Sequence, residues 1–415
     1  MLWLVHRLKW IVIAAVGMIA VVIVAGVVYV NVRERHIEQR QSVLAPFYTP
    51  PGGPLGVPGE IIRTEPLGVD VAGATALRLL YVSEQPDGTA AESGGMIFIP
   101  DGPAPEGGRP VVAWAHGTVG MADQCAPSRS DQPLNNTDGW LAQMMALGWV
   151  VVATDYVGLG TDGTELFLVG EAAARDVVNS VRAARNLAAA EAGSQFVVWG
   201  HSQGGHSSLW TGHLAAELAP ELDLLGVAAA APAAELVEIV GAQWDNAVGW
   251  AIGPEVAVAW PEVYPTLPVD DVLSKAGRSR IDALSDECIV AAAFEGMIRI
   301  EFGQKFFNSD PTEQSQWAAA GEEQTPPPLP AAMPALIAQG TADKVVLAWP
   351  NAILQKTWCE SGSTLAMLWL GGVNHQSAAH AAGPSVVTWI ADRFANRPAP
   401  RTCDVPPPVP PAPPD

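Results

Sequence analysis

Positive charge is scarce in this chain of 415 residues. Lysine and arginine together number 22 against 43 aspartates and glutamates, a formal net charge of −21. Such a surface repels phosphate backbones, which excludes a nucleic acid partner. Charged residues of both signs make up only 16% of the chain and apolar residues 49%, enough for a large core. Cysteine is sparse as well: Cys125, Cys288, Cys359 and Cys403 are all there are. None has the C-x-x-C spacing of a zinc site or a redox centre. There is no internal repeat, so a solenoid is excluded.

What is present at the ends is easily separated from the rest. His6, Arg7 and Lys9 precede an apolar run from Trp10 to Val30 that contains no charge and is long enough to cross a bilayer as a helix. A secretory signal peptide usually has a shorter apolar region and a small-residue cleavage site. The run ends instead in Tyr29-Val30-Asn31-Val32, so residues 1–40 are expected to hold the chain to a membrane through an N-terminal helix; if they are cleaved, the protein is secreted. Arg33, Arg35 and Arg40 on the far side leave the orientation unsettled by charge. The cysteines place the bulk of the chain outside the cytoplasmic membrane: an even number behind an export-type segment reads as two disulfides in an oxidising space, with three connectivities open. Residues 41–60 read as a Pro/Gly linker, and the tail 404–415 is too rich in proline for helix or central strand.

Between these ends, short apolar runs alternate with helical patterns. The strand candidates are Leu77–Ser83, Gly95–Pro100, Pro110–Ala115, Trp149–Thr154, Gln195–Gly200, Leu225–Ala230, Ala335–Gln339 and Leu365–Leu370. The helix candidates are Gly139–Leu147, Gly170–Ala192, Gln203–Leu218, Pro350–Cys359 and Ser377–Ala395. Alternation of this kind predicts an α/β fold with a mainly parallel sheet flanked by helices. Residues 233–330 break the alternation. They hold Trp244, Trp250, Trp260 and Trp317 but no clean strand, and read as an inserted helical cap, a lid over a site. The core then divides into 61–232 and 331–403.

The segment "VVWGHSQGGHSS" carries the chemistry. Gly200 to Gly204 match G-x-S-x-G, in which a strand turns sharply into a helix and lifts the serine hydroxyl above the sheet. A strand reading precedes the motif and a helical pattern follows it, so the context fits Ser202 as a nucleophile. A serine hydroxyl needs a base, and on this elbow the order along the chain is Ser, acid, His. His206 and His213 lie within the elbow helix and cannot easily reach back. His375 sits in a loop after a strand, beside Gly371 and Gly372, whereas His380 lies within the last helix; His375 is the expected base. Asp343, in the loop after the preceding strand, is the expected acid, with a helix cap as its plainer role. Asp155 precedes the serine and Asp392 comes too late. The oxyanion donors expected are the backbone amides of Gln203 and of Gly117 or Thr118, which follow the strand ending at Ala115; His116 reads as structural. "GLGTDG" at 158–163 fits a nucleotide fingerprint only superficially, since it comes late in the sheet and opens no evident helix. This chemistry requires no cofactor and no metal.

These residues resemble the secretory lipase family of α/β-hydrolases. The resemblance rests on "AWAHGTVGMADQCAPS" (113–128), "VVVATDYVGLGTDG" (150–163), "WGHSQGGHSSLW" (199–210), "GVAAAAPAAEL" (226–236), "QGTADKVV" (339–346) and Asn374-His375, and covers roughly residues 60–403. It implies the α/β-hydrolase fold and an esterase or lipase acting through Ser202, Asp343 and His375 on an ester or lipid. It also implies a cap over the site and two disulfides, pairing Cys125 with Cys288 and Cys359 with Cys403. The apolar N-terminal run and the proline tail depart from a freely secreted family member. Two other readings keep the fold: an anchored acyltransferase with the same three residues, and a non-catalytic envelope binding protein. Dehalogenase chemistry would need a carboxylate at position 202 and is excluded.

Overall fold

The computed structural model describes residue 32, residues 35–50 and residues 52–413. It divides into a unit of residues 1–49 and a unit of residues 50–415. In the first, residues 35–48 are helical. The expected membrane-spanning run at 10–30 lies outside the described residues; among the described residues no helix is long and apolar enough to cross a membrane.

The second unit is built on nine strands: β1 (Ile61–Pro66), β2 (Ala74–Glu84), β3 (Ala90–Pro100), β4 (Arg109–Ala115), β5 (Val150–Val157), β6 (Ala192–His201), β7 (Asp223–Ala230), β8 (Ala335–Gly340) and β9 (Leu365–Leu370). They form one sheet in the order β1-β2-β3-β5-β4-β6-β7-β8-β9. The first three strands pair antiparallel, and every pairing from β5 to β9 is parallel. All eight expected strands are present. β1, which the apolar pattern misses, is an edge strand with only two leading isoleucines and no fully buried residue.

The central strands are apolar on both faces because both faces are covered. Val111, Ala113, Phe196 and Val198 pack with Val177, Val181 and Leu209 of the helices Gly170–Asn186 and Gln203–Leu218. The alternate residues Val112, Trp114, Val197 and Trp199 pack with Val386, Trp389 and Ile390 of the helix Ala378–Phe394. The period-two division of each strand thus builds two separate core layers. One helix is shorter than its pattern suggests. The expected Gly170–Ala192 stops at Asn186, and Ala192 already opens β6. The alanine-rich stretch favours helix locally, but Glu191 O accepts from Arg109 N at 2.7 Å, so the sheet claims the chain there.

Between β7 and β8 the chain is helical, with Leu236–Gln243, Ala247–Val263, Ile289–Glu301 and Ser315–Glu323 as its longer pieces. These form a third apolar cluster around Trp260, Phe306, Phe307 and Trp317. Disulfides join Cys125 to Cys288 and Cys359 to Cys403, the pairing the resemblance implies. The parallel register brings the carboxyl ends of neighbouring strands level: Ala115 pairs with Gly200, and Gly340 with Leu370. The loops that follow β4, β6, β8 and β9 therefore gather at one edge, where open α/β sheets hold their ligands.

Candidate active site

β6 ends at His201 and the next helix begins at Gln203, so Ser202 alone makes the turn. Its φ of 57° and ψ of −117° are strained for an L-residue. The surrounding backbone holds it: Ser202 N donates to Ala230 O at 2.9 Å, and Ser202 O accepts from His206 N at 3.0 Å. The glycines are required by close approach. A Cβ on Gly200 would stand 2.0 Å from Gly204 O, and one on Gly204 would stand 1.9 Å from Ala115 O. Both obstacles are backbone and cannot swing aside.

His375 is buried and spans the other two residues. Its Nε2 lies 2.9 Å from Ser202 Oγ and its Nδ1 lies 2.8 Å from Asp343 Oδ2. The position is set locally by Asn374, whose side chain caps the short turn His375–Ser377 by accepting from Ser377 N at 3.0 Å. Asp343 divides its work. Oδ1 accepts from Val345 N at 2.9 Å and Val346 N at 3.0 Å, while Oδ2 faces the imidazole. It does not cap the following helix, whose cap is Leu347. With Nδ1–H donated to the carboxylate, Nε2 is left as the acceptor facing the serine hydroxyl, the arrangement a general base needs.

Gly117 lies against the elbow. A Cβ there would sit 3.0 Å from His201 O and 3.3 Å from Ser202 Cβ. Gln203 is the first residue of its helix, so its N–H has no carbonyl partner within the helix. Thr118, Ser202 and Gln203 border one cavity. Its remaining wall is largely apolar and comes mostly from the segment between β7 and β8, including Trp244, Ile252, Val256, Trp260 and Trp317, with Phe167, Leu168, Val345 and Val346 beside them. Trp250 is not on this wall; it packs on the opposite side of its helix, against Gly296 and Phe306.

The residues set aside from the sequence are elsewhere engaged. His206 Nε2 lies 2.7 Å from Gln324 O, and His380 is exposed. His116 Nδ1 lies 2.8 Å from Gly117 O, on the loop beside the elbow. Asp155 accepts from Ser128 N at 3.0 Å and from the Ser128 hydroxyl. Two contributors were missed. His201 is hidden inside the motif, yet its Nε2 lies 3.0 Å from His375 O and its ring 4.8 Å from the His375 ring. Burial, and secondarily the facing His375, push its pKa down to about 3, so it adds no charge beside the base. Glu165 is the other. The glycines of "GLGTDG" let that loop double back: a Cβ on Gly158, at φ +83°, would collide with Thr164 C at 2.3 Å. The fold-back brings Glu165 Oε1 to 2.6 Å from Gln203 Nε2. A motif that looks like a nucleotide loop is here a tight turn that delivers a carboxyl to the elbow.

That carboxyl belongs to a buried set. Burial pushes Asp155 up to about 6, Asp176 to about 7 and Glu165 to about 8, and Glu255 well above its usual range. When unfolded, these groups release their protons near 3.8 (Asp) and 4.5 (Glu). The folded chain thus keeps protons that the unfolded chain loses, and stability falls as pH rises toward the folded values. His201 and His206 act oppositely: burial lowers them to about 3 and about 4 from 6.5, so stability is also lost as pH falls below 6.5. The two sets oppose one another between about pH 4.5 and 6.5, and above 6.5 only the loss from the carboxyls remains. Calorimetry should show Tm dropping by on the order of 5–10 °C from pH 6 to 8.5. Glu165→Gln, which keeps the acceptor but cannot ionise, should flatten that limb. A Tm that rises toward pH 8.5 would rule the explanation out.

Known proteins share this architecture. A structure of Candida antarctica lipase A in its closed state superposes with a TM-score of 0.71 at 18% identity, covering 88% of this chain and 89% of that one. Among curated sequences, a secreted triacylglycerol lipase of Malassezia globosa is 25% identical, over 95% of this chain and 88% of its own length. A Mycobacterium tuberculosis protein named a probable inactive lipase is 24% identical, over 85% of this chain and 82% of its own. The secretory lipase family model matches residues 135–402, well over half of the sequence, and the chain belongs to that family.

Proposed function

We propose that the protein hydrolyses carboxylic esters through Ser202, His375 and Asp343, by way of an acyl-enzyme. The observation that carries this is the single imidazole within hydrogen-bond reach of both the elbow serine and a buried carboxylate. His375 Nε2 takes the proton of Ser202 Oγ as the oxygen bonds to the ester carbonyl carbon. The resulting oxyanion is met by the N–H of Gln203 and that of Gly117 or Thr118. The carbon–oxygen bond to the alcohol then breaks, and His375 returns the proton to the leaving oxygen. Water, deprotonated by His375, attacks the acyl-serine; the acid leaves and Ser202 recovers its proton. Asp343 stabilises the imidazolium throughout.

The cavity above Ser202 is lined almost wholly by apolar side chains and suits an acyl chain, since ligand sites are mostly apolar with few polar groups. A membrane- or envelope-associated role for the N-terminal segment would set where the enzyme works, not what it cleaves. One observation favours a second reading: a similar protein bears the name probable inactive lipase, and a non-catalytic binding protein could keep the fold. The intact contacts of His375 in this chain weigh against it.

The test is hydrolysis of p-nitrophenyl esters from C2 to C16. Rates should rise with acyl length as the chain fills the cavity. Ile252→Trp, which narrows the cavity wall, should cut the rate on the long esters by about tenfold or more while leaving C4 within about twofold. A folded enzyme that cleaves no ester of any length would overturn the proposal in favour of the non-catalytic reading.

A further inference from the structure

Glu165, the carboxyl that reaches the elbow, is 4% exposed. The charges acting on it come from other carboxylates, Asp176 on the helix Gly170–Asn186 and Asp155 on β5. From the segment between β7 and β8, Glu255 lies within reach of its charge; that side chain is 2% exposed, and among the described residues its Oε2 has no hydrogen-bond partner. The other titratable groups around it offer no positive charge. Arg175 is engaged by Glu84 at 2.9 Å and by Glu171 at 2.7 Å. Burial lowers His206 on the elbow helix to about 4 and raises Tyr156 on β5, so both rings are neutral. A carboxylate in such a place is costly, and the group keeps its proton instead.

What Glu165 holds is the residue that follows the nucleophile. Gln203 Nε2 donates to Glu165 Oε1 at 2.6 Å. Gln203 borders two hollows, the apolar cavity above Ser202 and a small one lined by Glu84, Tyr156, Glu165 and Asp176. The bond draws the amide group to the second side, so the side chain stays clear of the place where an ester carbonyl would sit. Gln203 also opens the helix Gln203–Leu218. Its free N–H and the positive end of that helix are what an oxyanion at Ser202 would use. An uncharged acid leaves that field intact. A carboxylate at the same spot would cancel much of it, because an anion already beside the donors raises the energy of a second one.

We propose that Glu165 is a positioning residue for the oxyanion half of the site: as a neutral acid it fixes the Gln203 side chain and keeps negative charge away from the Gln203 N–H. Its purpose rests on the ester-hydrolase reading, but one of its two tests does not. With the full chain and p-nitrophenyl butyrate, measured well below Tm, kcat should fall about tenfold or more between about pH 6.5 and 9.5 while KM changes little. The midpoint should lie near the value of about 8 to which burial pushes Glu165. Glu165→Ala frees the Gln203 side chain and should lower kcat about tenfold even at about pH 6.5. Glu165→Gln, which still accepts from Gln203 and cannot ionise, should restore that rate to within about threefold and abolish the alkaline fall. The second readout needs no turnover: the backbone amide signal of Gln203 in NMR should shift with the same midpoint and stay still in Glu165→Gln. An alkaline fall that survives Glu165→Gln, or a folded Glu165→Gln enzyme as slow as Glu165→Ala, overturns the proposal. So does a Gln203 amide signal that does not titrate in the unaltered chain. If Glu165→Ala does not fold, the Glu165→Gln profile and the amide signal still decide. A chain that cleaves no ester, but whose Gln203 signal titrates and stops doing so in Glu165→Gln, would sink the ester-hydrolase reading and leave the hold of Glu165 on the elbow standing.

Discussion

Ser202→Ala should lower kcat for ester hydrolysis by on the order of 10⁶-fold, the scale seen when an essential member of such a set is removed. The loss should be confined to chemistry. The bonds that hold residue 202 in its strained turn are made by its backbone, to Ala230 and His206. The alanine keeps the Cβ and gives up only the hydroxyl, whose contact is the 2.9 Å hydrogen bond to His375. Tm should therefore stay within a few degrees, and the cavity above the serine should still take substrate, so KM should change little. A residual rate of about 10³–10⁴ over water is compatible with oxyanion donors and binding that remain intact. A rate within tenfold of the unaltered enzyme would mean that another nucleophile acts, and the assignment of Ser202 would be wrong. Gly204→Ala is the useful contrast. Its Cβ would press to 1.9 Å from Ala115 O, so it should damage folding and activity together.

Much of this site is legible in the sequence because each element obeys a local rule. The elbow announces itself through small residues where the backbone crowds, and the level ends of parallel strands then bring loops far apart in sequence to one edge. Asp343 and His375 could be expected near Ser202 because each lies in the loop that follows a strand of the parallel sheet. The parts that were not legible depend on tertiary approach. His201 sits within the motif, and nothing in its neighbours tells that its ring will lie beside His375. Glu165 reaches Gln203 only because Gly158 reverses the chain, and a glycine pattern alone does not say what it reverses toward. Trp250 looks equivalent to Trp260 in the sequence, yet lies on the other face of one helix. Val290, Phe294, Met297, Ile298 and Phe302, on and just after the helix Ile289–Glu301, have the period of a buried helix, so their pattern alone points to the core, yet all five are exposed. Among the described residues that face stays exposed, and only the structure reveals it.

Asp343→Asn should reduce kcat by about 10⁴-fold, and the cause can be read from the hydrogen bonds. Oδ1 of Asp343 accepts from two backbone amides, Val345 and Val346. An asparagine must keep its carbonyl oxygen there, because turning its NH₂ toward those donors would leave two N–H groups unpaired and buried. The NH₂ then points at His375 Nδ1, where Oδ2 now lies at 2.8 Å. A donor at that place forces Nδ1 to accept, so the imidazole proton moves to Nε2. That nitrogen faces Ser202 Oγ, and once protonated it cannot take the serine's proton. The substitution therefore disables the base without removing it. The variant should bind substrate nearly as well, with the loss carried by kcat, and should remain folded. Asp155→Asn offers the comparison. Its carboxylate holds Ser128 and does not touch His375, so it should cost stability and leave the base in its working tautomer. If Asp343→Asn fell by less than tenfold while Asp155→Asn fell by thousands, the acid of this site would have to be sought on β5 and not after β8.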